Sequence, residues 1–335
     1  MTGTDERAHS ADRADLEYGI SPPGFRLPKE TAIGAVRLQV SDLRRSLAYY
    51  HDVVGMRIVT QTPTVAALAA AGQERPLVWL HAREGVRPVS QRATFGLYHF
   101  AVLLPDRQAL GRFSTHLSSM GVAVGMADHL VSEALYLTDP DGLGIEVYAD
   151  RPRTAWRRDG RQLVMSTQPL DIRSLMAAGG SSWDGLPSGS VIGHVHLHVG
   201  DLGKASDFYH AALGFDIVVW NYPGALFLSA GGYHHHLGTN TWASGGRAAQ
   251  DQARLLEWEL LVPRNDDASA AARSLAAAGY AVEPVSDAWT TADPWGTPLR
   301  IAAKVSFDLK ARPDELERPL SPRSSQKRIT PVRTD

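Results

Sequence analysis

The sequence of 335 residues contains no cysteine. That excludes a disulfide framework, a zinc-thiolate site and a thiol nucleophile, so any bound metal must be held by His, Asp or Glu. An excess of charge of one sign is also missing. The formal net charge is -2, which gives no overall field to draw in nucleic acid or an anionic membrane. Apolar runs are short, none long enough to span a bilayer. The opening stretch MTGTDERAHSADRADLEYG is polar and lacks the apolar centre of a secretory signal. The expectation is a cytoplasmic protein with polar tails at residues 1–30 and 306–335.

What is present is a globular composition, 44% hydrophobic and 21% charged, in a chain long enough for two domains. Internal repetition organises it. The segment IGAVRLQVSDLRRSLAYYHDVVGMRIV from Ile33 matches IGHVHLHVGDLGKASDFYHAALGFDIV from Ile192. Each reads as an alternating strand, a helix and a second strand. Ser41 and Asp201 stand near the helix starts as N-caps, and Gly55 and Gly214 stand just past the helix ends, where a left-handed residue is needed. Leu43, Leu47 and Tyr50 form an apolar helix stripe in the first copy, and Leu202, Ala205, Phe208 and Tyr209 form one in the second.

A second pair of repeats starts with LYHFAVLLP at Leu97 and LEWELLVP at Leu256. Each passes through a helix to an Asp-Pro turn, DPDGLGIEVYAD from Asp139 and DPWGTPLRIAAK from Asp293. The chain therefore divides into four βαβββ modules at roughly 33–85, 97–150, 192–243 and 255–303. The fold class expected is α+β, with the modules paired into two open-barrel domains. Residues 31–150 (modules 1 and 2) form the first domain and residues 191–305 (modules 3 and 4) the second, joined by a linker over 151–190.

The repeat allows equivalent positions to be compared. On the first strand of each module one position carries Ala35, His99, His194 and Glu257 in turn. On the last strand the corresponding residues are Trp79, Glu146, the run His234 to His236, and Arg300. Groups able to ligate a metal thus gather in modules 2 and 3. Taken singly, each has a plain structural explanation: His99 as a half-buried histidine, His234 to His236 as strand surface, Glu146 as a paired carboxylate. Together they are harder to explain that way. His194, His196 and His198 project from one strand face, and three imidazoles are costly to bury without polar partners, a metal or water.

The motifs GLYHFAVLLPDR (96–107), DHLVSEALYLTDPDGLGIEVYADRP (128–152), IGHVHLHVGDL (192–202) and SAGGYHHHLGTNTW (229–242) occur in an order that resembles the vicinal oxygen chelate superfamily. That superfamily includes glyoxalase I, bleomycin-resistance proteins and type I extradiol dioxygenases. The similarity in layout covers about residues 30–305, and it is greatest to the catechol 2,3-dioxygenase branch. The resemblance implies a non-haem Fe(II) enzyme, Mn(II) being the other ion used, that cleaves a catechol-type aromatic diol with O2 in aromatic catabolism. It implies metal ligands His194, His99 and Glu146, which leave three positions open for the diol and dioxygen. His235 takes the place of the family's acid-base histidine. Tyr136, ten residues before Glu146, and His129, at a slightly shorter spacing than usual, take the places of the groups that handle the substrate hydroxyl. His196, His236 and Trp242 are the candidate substrate contacts, with Phe227 and Trp220 as further aromatic lining.

One departure matters. In the familiar dioxygenases modules 3 and 4 supply the ligands, whereas module 4 here offers Glu257 and Arg300. Either module 2 pairs with module 3, within the chain or across a homo-oligomer, or modules pair in chain order and a rival set of His194, His236 and Glu257 arises. Leu143 is a smaller departure, in a turn where relatives often have Asn. Two other functions fit the same fold: a metal-dependent glyoxalase-type isomerase or lyase, and a non-catalytic antibiotic-binding protein.

Overall fold

Each module opens on a strand whose residues alternate between two faces, both largely buried. In the computed structural model, which describes residues 18–90, 92–180 and 182–304, module 1 consists of β1 (Ala32–Val40), α1 (Leu43–Ala48), β2 (Arg57–Gln61), β3 (Val65–Ala69) and β4 (Val78–Ala82). Module 2 consists of β5 (Gly96–Leu103), α2 (Arg107–Ser119), β6 (Gly125–Asp128), β7 (Ser132–Thr138) and β8 (Gly144–Asp150). A small hairpin, β9 (Arg158–Asp159) and β10 (Gln162–Leu163), and α3 (Ile172–Gly179) follow. Module 3 consists of β11 (Val191–His198), α4 (Leu202–Ala205), β12 (Asp216–Val219), β13 (Ala225–Ser229) and β14 (Leu237–Asn240). Module 4 consists of β15 (Arg254–Val262), α5 (Asn265–Ala277), β16 (Val282–Val285), β17 (Ala288–Ala292) and β18 (Pro298–Ala303).

Helix starts are fixed by aspartates. Asp42, Asp106 and Asp201 accept from the backbone N–H three residues on, at 2.9, 2.7 and 2.8 Å. The cap of α1 is thus Asp42 and not Ser41, whose hydroxyl instead donates to Asp141 at 2.7 Å. α1 and α4 both run on into a π turn, over Tyr49–Val53 and Ser206–Ala212. Gly55 and Gly214 then reverse the chain with φ of 83° and 100°.

Within a module the first strand lies parallel to the fourth, and the second and third complete an antiparallel edge. Modules join through their first strands, β5 antiparallel to β11 and β1 antiparallel to β15. Two curled eight-stranded sheets result, in the orders β12-β13-β14-β11-β5-β8-β7-β6 and β16-β17-β18-β15-β1-β4-β3-β2. Module 2 therefore shares a sheet with module 3, and module 1 with module 4. The division at 31–150 and 191–305 does not coincide with the sheets, since each sheet takes one module from each half. Side-chain matching across the central strands gives the reason. His99 faces His196 across one sheet, and Arg37 faces Glu257 across the other. Pairing in chain order would separate the buried Arg37 from Glu257 and leave each to find another partner.

Two tyrosines on the π turns tie the sheets together. Tyr50 donates to Asp139 at 3.2 Å and Tyr209 to Asp293 at 2.9 Å, so each Asp-Pro turn is anchored by the module before it. One apolar core runs between the sheets, with Val36, Leu38, Phe100, Val102, Val195, Leu197 and Trp258 fully buried. The segments expected as tail and linker contribute to the packing. Ile20 N–H donates to Ile217 O at 2.8 Å, Leu27 N–H donates to Gly214 O at 2.9 Å, and the Leu27 side chain is buried. Helix α3 lies against α2 with Leu175 fully buried. Residues 1–17 and the expected tail at 306–335 lie outside the described residues. No helix among those described is long and apolar enough to cross a membrane.

The α2–α3 crossing is close because two glycines meet. A Cβ on Gly111 would run into the Leu175 carbonyl and stand 2.8 Å from Gly179 N. Alanine inside a helix ordinarily stabilises by about 0.5–1 kcal/mol over glycine. Here the clash is with backbone, and Gly111→Ala is expected to destabilise by roughly 1–3 kcal/mol. Thermal unfolding of the variant checks this; a raised melting temperature would show that the helices part without cost.

Candidate metal centre

The centre is built around Ala101. On its two sides β5 pairs with β8 and β11, and Ala101 is the partner of both Glu146 and His194. The small side chain leaves room above it for the two larger ones. His99, two residues earlier on β5, projects from the same face. One ligand atom from each of His99, Glu146 and His194 lies within 4.8 Å of the others. Glu146 Oε2 is 3.0 Å from His99 Nε2 and 3.2 Å from His194 Nε2. All three side chains are buried.

Burial opposes the Glu146 charge, but His194 and His99 outweigh it and hold the carboxyl well below its ordinary range. Burial drives the His194 imidazole down to about 4 against the pull of Glu146. At neutral pH the group is an ionised carboxylate with a neutral His194. His99 Nε2 is buried without a hydrogen-bond partner despite its closeness to Glu146. An orphaned imidazole nitrogen, a second imidazole and a carboxylate converging in this way fit a divalent ion with positions left open. Among the described residues it is the one such group.

A cavity of about 350 Å³ lies over the three residues, and His129, Tyr136, His196, His235, Phe227 and Trp242 are in its wall. Tyr136 sits on β7 opposite Glu146. Its hydroxyl is 2.6 Å from His129 Nε2, while His129 Nδ1 is 2.9 Å from Ser166 O. The carbonyl can only accept, so neutral His129 carries its proton on Nδ1 and takes the Tyr136 hydroxyl hydrogen at Nε2. Burial, then Glu146, push the Tyr136 phenol well above its ordinary value.

His235 enters the wall from the β13–β14 connection. Its ring stacks at a tilt on His194 with centroids 4.1 Å apart. Behind it, His234 Nδ1 is 2.7 Å from His235 Nδ1, and His234 Nε2 is 2.9 Å from Asp150 Oδ1. With the Asp150 carboxylate accepting from His234 Nε2–H, His235 Nδ1–H donates to His234, and His235 Nε2 is left an acceptor. That nitrogen is buried without a partner. Burial, then His194 and His234, hold the His235 ring neutral, well below its usual value.

Other candidates fall elsewhere. His236 points to the opposite side of the connection from His235. There its Nδ1 accepts from Ala230 N–H at 3.2 Å, so it does not line the cavity. Trp220 is 41% exposed and also outside it. The rival set of His194, His236 and Glu257 is not brought together, because Glu257 is in the other sheet, 3.7 Å from Arg37. Tyr98, Met126, Met165, Thr167 and Tyr222 also line the cavity. Sequence reasoning missed them, as it missed Asp150. Met165 and Thr167 lie in the segment expected as linker, and none of the others is set apart by the repeat.

The sheet of modules 1 and 4 has a different interior at the equivalent place. Ala35 replaces a ligand, Arg37 stacks over Trp79 at 4.4 Å and pairs with Glu257, and Arg300 lies 3.6 Å from Glu259, which also binds Arg75 at 2.9 Å. Charge there is neutralised by side chains of opposite sign.

Paired βαβββ modules with a buried two-histidine, one-carboxylate cluster in one pair define a class of metal-site half-barrel proteins. The chain belongs to the glyoxalase/bleomycin resistance protein/dioxygenase superfamily, whose family model matches residues 32–147 and 191–294. It is 44% identical over 274 residues to a catechol-2,3-dioxygenase of Bacillus subtilis (strain 168), covering 79% of this chain and 95% of that protein. Among solved structures, a putative dioxygenase from Bacillus subtilis subsp. subtilis str. 168 superposes with a TM-score of 0.60 at 15% identity, covering 88% of this chain and 96% of that one. Glyoxalase I from Zea mays gives 0.51 at 17% identity, covering 86% and 95%. At such identities the superpositions establish the fold.

The buried imidazoles make the metal-free protein sensitive to acid. The folded values of His194, about 4, and His236, about 3, lie below the 6.5 of a free imidazole. Between those limits the unfolded chain binds more protons than the folded one, so stability falls as pH drops through 6.5. The depressed Glu146 acts in the same direction below its ordinary value of 4.5. The slope is on the order of 1.4 kcal/mol per pH unit for each fully shifted group. Calorimetry of chelator-treated protein from pH 7.5 to 5 is expected to show a steadily falling melting temperature; a flat profile would mean that these rings are hydrated.

Proposed function

We propose that the chain is an extradiol dioxygenase of the catechol 2,3 type, acting on a small aromatic diol with O2 and an Fe(II) ion held by His99, His194 and Glu146. The observation that carries this reading is the meeting of two imidazoles and one carboxylate beneath an aromatic-walled cavity, with no fourth ligating side chain in the group among the described residues. A closed four-ligand set would suit isomerase chemistry better. The 44% identity to a catechol-2,3-dioxygenase over most of the chain supports the same conclusion.

When bound, the ion supplies Lewis acidity toward the diol and one-electron chemistry toward dioxygen. Imidazole and carboxylate donors suit Fe(II), and Mn(II) accepts the same set. The remaining work belongs to the chain. Tyr98, Phe227 and Trp242 confine a flat ring and exclude water. Tyr136 gives its hydrogen to His129 Nε2 and so keeps its oxygen lone pairs for a substrate hydroxyl. A proton leaving that hydroxyl passes to Tyr136 Oη while the Tyr136 proton moves to His129 Nε2. On the other side His235 Nε2 is an acceptor held in one tautomer by His234 and Asp150. It takes or returns a proton where charge develops on oxygen. A ring C–C bond beside the diol breaks, both atoms of O2 enter, and an open-chain semialdehyde results.

Anaerobic loading with Fe(II), followed by oxygen uptake and yellow-product absorbance on a panel of catechols, tests the proposal. Turnover is expected in the wild type and is expected to be lost in His194→Ala and Glu146→Gln together with bound metal. Metal binding with no oxygen uptake on any catechol would instead support the isomerase, and absence of metal binding would support a binding protein. For the proton-handling role, His235→Ala is expected to lower kcat by about 10²–10⁴ with metal content unchanged. An unaltered kcat would remove His235 from the reaction.

A further inference from the structure

A second cavity, of about 300 Å³, lies where the two sheets meet and shares only Tyr98 with the cavity over the metal ligands. Its lining includes Arg92, Arg247 and Arg254 and no aspartate or glutamate. Carboxylates on the surrounding loops are engaged elsewhere. Asp251 pairs with Arg87 at 2.9 Å, Asp141 with Arg45 at 2.6 Å, and Asp293 accepts from Tyr209 at 2.9 Å.

Among the described residues, two polar atoms in this cavity's lining side chains are buried without a partner. One is Arg254 Nε, a donor. Burial, followed by repulsion from Arg83, lowers that guanidinium from its ordinary value, and no anion counters either effect. The other is His198 Nε2. Asn240 Oδ1 accepts from Trp242 N–H at 3.0 Å and lies 2.6 Å from His198 Nδ1, which therefore donates and leaves Nε2 an acceptor. Arg247 is held at the rim, donating from Nη2 to Pro294 O at 3.1 Å. It crosses Gly296, where a Cβ would stand 2.9 Å from its Cζ. Phe95 and Trp295 meet edge to face at 6.5 Å in the same wall.

We propose that this cavity binds a small organic anion, a carboxylate on a flat apolar body, separately from the metal centre. Arg254 and Arg247 take the carboxylate, and Phe95 and Trp295 take the body. Guanidinium groups fit a carboxylate because they offer parallel N–H donors. Donation to a charged acceptor here also ends the isolation of Arg254 Nε.

Calorimetric titration of the full-length protein with benzoate, and with benzyl alcohol as the neutral counterpart, tests this. Benzoate is expected to bind one to one and benzyl alcohol at least about tenfold more weakly, the effect of a lost charge-assisted bond. Arg254→Met is expected to weaken benzoate by about tenfold or more, and His194→Ala to leave it within about twofold, since His194 lines only the other cavity. If Arg254→Met melts before titration, Arg247→Gln, at the exposed rim, carries the same expectation. Equal binding of the two probes, loss of benzoate binding in His194→Ala instead of the arginine variants, or no benzoate binding at millimolar concentration would overturn the proposal.

Discussion

The antiparallel pairing of β5 with β11 is the contact on which the centre depends. It sets His99 opposite His196 and Ala101 opposite His194. The parallel pairing of β5 with β8 then brings Glu146 to the other side of Ala101. Because side chains alternate with a period of two, a slip of one residue in either pairing would turn a ligand to the opposite face. The register is guarded by burial: Phe100, Val102, Val195 and Leu197 fill the apolar core on the opposite face of the same strands. Core packing and site geometry are thus specified by the two faces of one strand pair.

The two half-barrels show what one scaffold can do with different charges inside. In one, two imidazoles and a carboxylate are buried at short distances, and part of their hydrogen-bonding capacity is unmet by protein. In the other, Arg37, Glu257, Glu259, Arg75 and Arg300 form ion pairs. Buried ion pairs contribute little net stability, since desolvation offsets most of the attraction, but removing one partner is costly. The paired interior therefore fixes which modules join, and the imidazole-lined one is left open to chemistry. Tyr50 and Tyr209, reaching Asp139 and Asp293, link modules 1 to 2 and 3 to 4, so the four modules form a closed ring of contacts.

Around the centre, order reaches beyond the atoms that face the cavity. Asp150 fixes His234, and His234 fixes the tautomer of His235. Ser166 does the same for His129, and through it for the Tyr136 hydroxyl. Each chain ends on an atom facing the cavity, one an acceptor nitrogen and the other a phenol oxygen with free lone pairs. This is a preorganised polar surface on rigid strands and tight connections.

The sequence by itself determined the modules. The repeat from Ile33 and Ile192, the glycines that reverse the chain at 55 and 214, and the alternation of His194, His196 and His198 were all legible, because period and turn chemistry are local properties. Comparing equivalent positions also gathered the ligating groups in modules 2 and 3, and the family resemblance then picked out His99, Glu146 and His194 and offered the pairing of module 2 with module 3 as one of two arrangements. The choice between those arrangements was made by the tertiary structure, since it depends on cross-strand partners far apart in the chain, such as Arg37 and Glu257. The resemblance set His235 apart from His236, but only the fold could show that His235 lines the cavity and His236 does not, because the sequence cannot say which side of the connection the cavity is on. Likewise only the fold could bring in Asp150, Met165 and Tyr98, whose roles come from what lies next to them in space.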